Sequence, residues 1–324
     1  MKRAKILVTG ASGFVGSALV IRLGSSLKYN VIAAVRSLHS TFPAGVAVCN
    51  VGDLSHATDY NDALIGVDVV VHAAARVHVI NEKESDPLAM FRSVNVEGTL
   101  NLARQAANHG VKRFIFLSSI KVNGEGGRKI RPYRSEDSPN PLDPYGVSKL
   151  EAEVGLQQIA KYSNMEVVII RPPLIYGPGV KANFYTMMRW LNRGVPLPLG
   201  AIYNKRSFVS VDNLVDLIYT CLEHPNAANE IFLVSDGQDL STTELLRHMG
   251  HSLGKPARLI PVPECLVRTA GMLLCRRALS SRLLDSLQVD IDKTRNVLGW
   301  HPPISVTQAL NSTAQYFLKK QNHE

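Results

Sequence analysis

The residues that decide the fold lie at the start of the chain, where Ile6-Leu7-Val8 runs into Thr9-Gly10-Ala11-Ser12-Gly13-Phe14-Val15-Gly16. Apolar side chains then recur at helical spacing, at Val15, Leu19, Leu23 and Leu27. Glycines let a backbone turn tightly after a strand, and a helix N-terminus offers N–H groups to a pyrophosphate. The stretch therefore predicts a strand, a phosphate-binding turn and a helix over 16–27, which together indicate dinucleotide binding.

Outward from this stretch, short apolar runs alternate with helix-like segments. Strands are predicted over 5–9, 31–35, 46–51, 67–72, 113–118 and 167–171, and further helices over 91–109 and 144–161. Continuous apolar strands separated by helices are typical of a parallel sheet covered on both faces. The fold class is therefore predicted as α/β, a doubly wound Rossmann domain.

The sequence pattern changes after Pro172. Prolines become frequent there, and apolar strand-like runs no longer alternate regularly with helix-like segments. We expect the Rossmann domain to occupy 1–172, with 205–237 returning to it. A smaller C-terminal α/β domain that binds substrate is expected over most of 173–324. Within it, 265–284 is expected to pack as a helix over the pocket, with an amphipathic helix at a membrane surface as the alternative.

Composition narrows the class of protein. The chain has 324 residues, 45% of them hydrophobic, and no apolar run near the ~18 residues that a membrane span needs. The start, Met1-Lys2-Arg3-Ala4-Lys5, lacks the apolar region of a secretory signal. The four cysteines are scattered without metal-ligand spacing. We therefore expect a cytoplasmic protein with no membrane span and no metal.

The net charge of +9 comes from dispersed Lys and Arg residues. The densest cluster, 128–131, is interpreted as a solvated basic loop rather than a nucleic-acid surface. A positive field also suits phosphate-rich small molecules. We expect no nucleic-acid partner.

A second candidate functional motif is Tyr145-Gly146-Val147-Ser148-Lys149. Tyr145 and Lys149 share one face of the predicted helix because they are four residues apart. A nearby ammonium favours the phenolate and would lower the pKa of Tyr145 from near ~10 toward neutrality. With Ser118-Ser119 at the end of a predicted strand, the pattern indicates acid/base catalysis.

These motifs resemble the extended short-chain dehydrogenases/reductases, the NAD-dependent epimerase/dehydratase family. The likeness rests on Gly-x-x-Gly-x-x-Gly at 10–16, Asn-x-x-Gly-Thr at 95–99, Tyr-x-x-x-Lys at 145–149 and the segment 171–178. The resemblance implies hydride transfer between a nicotinamide and a carbon that bears oxygen. It makes Ser119, Tyr145 and Lys149 the catalytic residues and gives Asn95 a structural role.

The resemblance also implies a cofactor site in which Asp53 contacts the adenine. Its residues are Gly10, Ser12, Gly13, Phe14, Val15, Gly16, Arg36, Asp53, Leu54, Ala73, Ala74, Ala75, Tyr145, Lys149 and Pro172. The second strand ends Ala34-Val35-Arg36-Ser37, without the carboxylate that usually binds the ribose of NAD. Arg36 suits a 2′-phosphate, so NADP(H) is favoured and NAD(H) is the alternative.

Four residues resemble the positions that bind a nucleotide-linked sugar in this family: Asn183, Arg206, Arg282 and Asp285. The implied substrate is a UDP-linked sugar, and a homodimer is an option that one sequence leaves open. Leu174 stands where many such enzymes have asparagine, which puts one substrate contact in doubt.

The residues after Ser119 narrow the reaction. Ser119-Ile120-Lys121 lacks the acid pair of sugar 4,6-dehydratases, so dehydration is set aside. The segments 72–78 and 118–124 resemble those of bacterial O-antigen enzymes in this family, among them 4-ketoreductases that form UDP-N-acetylquinovosamine-type sugars. The resemblance, together with the missing carboxylate near Arg36, implies reduction of the C4 ketone of a UDP-4-keto-6-deoxy-N-acetylhexosamine in O-antigen biosynthesis. The alternatives are a UDP-hexose or UDP-N-acetylhexosamine 4-epimerase with bound NAD, and a non-catalytic NADP-binding regulator.

Overall fold

A computed structural model describes residues 3–38, 40–77, 86–127, 131–273, 281 and 283–321. Its strands are β1 (Ala4–Thr9), β2 (Tyr29–Val35), β3 (Ala47–Asn50), β4 (Val69–His72), β5 (Arg113–Leu117), β6 (Glu166–Arg171), β7 (Leu174–Tyr176), β8 (Phe208–Ser210) and β9 (Ile231–Leu233). Within the described residues, seven of them form one parallel sheet in the order β3-β2-β1-β4-β5-β6-β9.

The described helices flank this sheet. They are α1 (Phe14–Gly24), α2 (Asn61–Leu64), α3 (Pro87–Phe91), α4 (Thr99–Asn108), α5 (Pro144–Lys161), α6 (Ala182–Asn192), α7 (Val211–Glu223), α8 (Thr242–Ser252), α9 (Glu264–Leu273), α10 (Asp292–Leu298) and α11 (Val306–Gln321). One apolar cluster packs α1 and α7 against the sheet, and a second packs α2, α4 and α5 against it. The predicted doubly wound α/β fold is confirmed.

Helix α5 begins and ends where the sequence predicts. Pro144 occupies its first turn, where a missing N–H costs nothing. Asp143 caps it, because its Oδ1 accepts a hydrogen bond of 2.6 Å from the backbone N–H of Gly146.

The helix predicted over 91–109 differs from the structure. Three pieces replace it: α3, a π-helical segment Arg92–Gly98, and α4. Asn95 lies in the π segment, where its Nδ2 donates to the carbonyl of Arg76 at 3.0 Å and to Oγ of Ser148 at 3.1 Å. Its Oδ1 accepts from the backbone N–H of Arg76 at 2.8 Å. The wide turn thus holds one buried amide against a loop and against α5.

A separate two-stranded sheet pairs β7 with β8. A third apolar cluster surrounds it and includes side chains of α6, α8 and α11. The carboxylate of Asp236, just after β9, accepts hydrogen bonds from Tyr176 Oη at 2.7 Å and from the backbone N–H of Ser210 at 2.8 Å. It therefore links the small sheet to the end of the large one. The division into domains at 172 and over 205–237 remains a prediction.

Helix α9 covers the first part of the segment expected to pack over the pocket. None of its residues is fully buried, and Val267 packs against the third apolar cluster. Residues 274–280 and 282 lie outside the described residues, so this expectation remains a prediction. None of the described helices is both long and apolar enough to cross a membrane.

Candidate active site

The glycine turn after β1 is tightly packed. Gly10 has φ +66°, and a Cβ there would lie 2.7 Å from the backbone nitrogen of Ala74. A Cβ on Gly16 would lie 2.1 Å from the carbonyl oxygen of Gly10. Only glycine fits either position, so β1, α1 and the loop after β4 approach one another as closely as their backbones allow.

Helix α1 begins directly after this turn. Gly13 precedes its first residue and has no side chain to cap it, so the N-terminal N–H groups face the turn. Ser12 and Gly13 are exposed, Phe14 is half-buried and Val15 is buried. The loop residues Ala73, Ala74 and Ala75 are half-buried beside Gly10. An open helix N-terminus behind a glycine turn fits the pyrophosphate of a dinucleotide.

The predicted catalytic residues converge at the carboxyl ends of β5 and β6. A Cβ on Gly146 would lie 2.9 Å from the carbonyl oxygen of Lys121, so the turn after Ser119 lies against the start of α5. Lys149 Nζ donates a 2.9 Å hydrogen bond to the carbonyl of Leu117. The structure therefore brings Ser119, Tyr145 and Lys149 to one place.

Lys149 is almost completely buried, at 2% exposure. Burial lowers its pKa to about 7, and the carboxylate of Glu153 opposes that shift. Its Nζ lies 4.5 Å from the ring centroid of Phe116 and 5.9 Å from that of Tyr145. Near neutral pH its amine is poised between the two protonation states.

Tyr145 departs from the expectation drawn from the sequence. Burial raises the pKa of its phenol above the ordinary value of 10.0, and the negative charge of Asp143 adds to the increase. The prediction that Lys149 lowers this pKa is not met, because burial disfavours the charged phenolate and is the largest effect on it. The edge of the ring packs on Phe91, with ring centroids 5.9 Å apart.

His72 at the end of β4 is a further buried polar residue beside the glycine turn. Nδ1 lies 2.7 Å from Oγ1 of Thr9, and Nε2 lies 2.9 Å from Oγ1 of Thr99. Burial, followed by the charge of Lys149, lowers the pKa of His72 to about 3. The ring is therefore neutral and fastens β1, β4 and α4 together beside the glycine turn.

The adenine end of the predicted cofactor site contains one exposed ion pair. A guanidinium nitrogen of Arg36 lies 3.7 Å from a carboxylate oxygen of Asp53. A Cβ on Gly98 would lie 2.7 Å from Cγ of Leu54, so Leu54 packs closely against that glycine. At the opposite end, the carbonyl of Pro172 accepts a 2.9 Å hydrogen bond from the backbone N–H of Ile120. Pro172 thus lies directly against the turn that follows Ser119.

Two of the predicted substrate residues meet. Arg206 Nη1 donates a 3.0 Å hydrogen bond to the backbone carbonyl of Asp285. The carboxylate of Asp285 is bound by Arg268 at 2.9 Å, a contact that the sequence did not indicate. Asn183 is exposed in the first turn of α6. Arg282 lies outside the described residues.

Comparison with known proteins decides the family. Residues 6–235 match the sequence model described as "NAD dependent epimerase/dehydratase family". The chain belongs to this family. The predicted resemblance to extended short-chain dehydrogenases/reductases is confirmed, and the chain is an enzyme of that type.

Three known proteins are similar to this epimerase/dehydratase in sequence or in fold. A UDP-glucose 4-epimerase of Vibrio cholerae is 50% identical over 318 residues, which cover 98% of this chain and 96% of that protein. MoeE5 in complex with UDP-glucose and NAD is 25% identical with a TM-score of 0.76, covering 98% of this chain and 100% of that one. The UDP-glucuronic acid 4-epimerase of Bacillus cereus in complex with NAD shares the fold at 21% identity, with a TM-score of 0.77 and coverage of 99% and 100%.

Proposed function

We propose that this epimerase/dehydratase is a UDP-hexose or UDP-N-acetylhexosamine 4-epimerase that keeps its NAD bound. The observation that carries the proposal is 50% identity over 98% of the chain to a UDP-glucose 4-epimerase. The expected 4-ketoreductase would use the same catalytic residues, but the similar proteins favour the epimerase. The role in O-antigen biosynthesis remains a prediction.

The ion pair at the adenine end supports NAD over NADP. The guanidinium of Arg36 already has a carboxylate within 3.7 Å, that of Asp53. A 2′-phosphate placed beside Arg36 would also meet the negative charge of Asp53. We infer that Asp53, in the segment after β3, takes the place of the carboxylate that is missing at the end of β2.

Each proposed role follows from where a residue lies. The turn at Gly10 and the N-terminus of α1 bind the pyrophosphate. Lys149 donates a hydrogen bond to the carbonyl of Leu117, which anchors the N-terminal part of α5. Its amine would also bind the ribose of the cofactor. Arg206 and Asn183 bind the diphosphate of the UDP-sugar, and Asp285 binds its ribose. When bound in this site, a nicotinamide cofactor would supply the hydride chemistry at the sugar C4.

Proton transfer falls to Tyr145. In its phenolate form, the minor form near neutral pH because burial raises its pKa, Tyr145 would take the proton of the sugar 4-hydroxyl, and Ser119 would orient that oxygen by a hydrogen bond. Tyr145 would give the proton back to the same oxygen once the ketone has been reduced from its opposite face. The net reaction changes only the stereochemistry at C4, so no reductant is consumed.

The test uses the purified protein without added reductant. UDP-glucose, UDP-galactose, UDP-N-acetylglucosamine and UDP-N-acetylgalactosamine are incubated separately, and the products are resolved by proton NMR. We expect interconversion within at least one pair. Consumption of NADPH with a UDP-4-keto-6-deoxy-N-acetylhexosamine, without any interconversion, would establish the ketoreductase instead.

A further inference from the structure

Helix α5 presents a third polar side chain to the interior, Glu153, four residues after Lys149. It is 1% exposed. Its Oε1 accepts a 3.0 Å hydrogen bond from Nε of Arg171, and its Oε2 accepts one of 2.5 Å from Nη2. The hydroxyl of Ser118 also donates to Oε1. One carboxylate therefore holds a bidentate, buried guanidinium and a serine at once.

These partners belong to the segments that carry the candidate active site. Ser118 follows the last residue of β5 and precedes Ser119. Arg171 ends β6 and precedes Pro172, and its Nη1 donates to Oδ1 of Asn123 at 3.0 Å. The carboxylate of Glu153 thus ties the helix with the predicted acid/base pair to both strand ends that face it.

We propose that Glu153 is a positioning residue of the 4-epimerase: it sets α5 against the ends of β5 and β6 and favours the ammonium form of Lys149. The kinetic part of this inference rests on the proposed function. The protonation of Lys149 is a property of the protein alone.

The charge surroundings of Lys149 support the second half of the proposal. Burial lowers its pKa to about 7, and Glu153 is the group that raises it. His72 faces it from β4 but is neutral, because its own pKa is about 3. Tyr145 faces it from α5. Arg171 on β6 is bound to the carboxylate of Glu153. Among these groups Glu153 is the anion whose charge favours the ammonium, and it lies one helical turn after Lys149 on α5.

The first measurement observes Lys149 directly. Protein labelled with 13Cε-lysine is titrated by NMR, and the Lys149 resonance is identified by its loss in Lys149→Met. Glu153→Gln should move the midpoint to lower pH by one unit or more, since the remaining charge of Arg171 repels the ammonium. Because a lone buried charge can prevent folding, the double variant Glu153→Gln/Arg171→Gln is titrated as well, with a downward shift also expected.

Matched variants distinguish the effect of the charge of Glu153 from the effect of its side-chain length. Ser118→Ala removes one hydrogen bond to Glu153 but leaves its charge, so the titration midpoint should not move. Glu153→Asp should keep the midpoint within half a unit of wild type, yet kcat should fall at least tenfold because the shorter side chain displaces α5. An unchanged midpoint in Glu153→Gln and in the double variant would overturn the proposal.

The second measurement is the pH profile of kcat for the interconverted UDP-sugar pair. In Glu153→Gln the limb of the profile that follows the titration of Lys149 should shift to lower pH by the same amount as the NMR midpoint, with KM within threefold of wild type. A uniform loss of kcat at all pH values would show a structural role only and refute the electrostatic one. A wild type that interconverts no UDP-sugar would refute the proposed function while the NMR titration still decides the state of Lys149.

Discussion

Nζ of Lys149 donates a 2.9 Å hydrogen bond to the backbone carbonyl of Leu117, the last residue of β5. The amine also lies 4.5 Å from the ring centroid of Phe116. A carbonyl and a ring face together replace only part of the water that the ammonium loses. The contact therefore positions α5 on the sheet. Burial of the charged amine still costs free energy of folding, as is expected of a functional residue.

The first prediction concerns stability. In the folded chain the pKa of Lys149 is about 7, against 10.5 for an ordinary lysine. Between these values the unfolded chain binds one more proton, so the folded state gains stability as pH rises. In Lys149→Met this gain should be lost. Urea unfolding of both proteins at pH 7 and pH 9.5 measures it, and equal pH dependence in the two would contradict it.

The second prediction concerns the proton. Tyr145→Phe removes the hydroxyl and leaves the ring that packs on Phe91. Turnover should fall about a thousandfold, as is common when a general acid/base is lost. NAD binding, measured by calorimetry after removal of the resident cofactor, should stay within threefold of wild type.

The control for that variant lies at the end of the same helix. Tyr162 follows Lys161 and is 84% exposed. Tyr162→Phe should leave both turnover and NAD binding unchanged. If Tyr145→Phe retained more than a tenth of wild-type turnover, another group would have to carry the proton.

The third prediction concerns the glycine turn. Gly16→Ala would bring a methyl group to 2.1 Å from the carbonyl oxygen of Gly10, so the turn must open. Overpacking of this kind costs about 1–3 kcal/mol, and the dinucleotide should bind at least tenfold more weakly. Ser17→Ala, the next residue of α1, loses only a 3.3 Å hydrogen bond to Phe14 and should behave as wild type. Equal NAD affinity in the two variants would contradict the assignment of this turn.

The fourth prediction concerns the choice of cofactor. Asp53→Asn removes the carboxylate beside Arg36 and leaves the guanidinium free to meet a 2′-phosphate. The ratio of NADP to NAD affinity should rise about threefold, as expected for one exposed charge pair. Asp62→Asn, an exposed residue in α2, is the control and should leave the ratio unchanged. A ratio unchanged in Asp53→Asn as well would mean that the pair does not face the ribose.

Local sequence signals predicted the sheet and α5 well, because each strand is a continuous apolar run and Asp143-Pro144 marks a helix start. The end of α1 was predicted too late. The helix ends at Gly24, where Ser25 donates its hydroxyl to the carbonyl of Ile21, and Leu27 is 82% exposed. A single apolar residue at the right spacing does not extend a helix beyond a competing cap.

The distant partners of Glu153 and Asn95 could not be predicted from the sequence. Glu153 continues the four-residue spacing of Tyr145 and Lys149, which was a usable signal. Its partner Arg171 lies on another element, and only folding brings the two together. The same holds for Asn95, whose amide bonds span 19 and 53 positions and accompany a π turn that helical periodicity alone does not indicate.

The last prediction concerns the acidity of Tyr145. Lys121 forms ion pairs with Asp143 and with Glu125. The charge of Asp143 raises the pKa of Tyr145, and Lys121 offsets part of that charge. In Lys121→Met the pKa of the phenol should rise further. Because the phenolate is the base and is the minor form below this pKa, kcat at neutral pH should fall by about tenfold.

Asp143→Asn gives the opposite test. The amide oxygen still accepts the 2.6 Å hydrogen bond from the N–H of Gly146, so the cap of α5 persists while the charge is lost. The pKa of Tyr145 should fall, and kcat at neutral pH should rise. Lys161→Met, at the far end of α5, should leave kcat unchanged. Changes of kcat with the same sign in Lys121→Met and Asp143→Asn would show that structural disturbance, and not charge, sets the acidity of Tyr145.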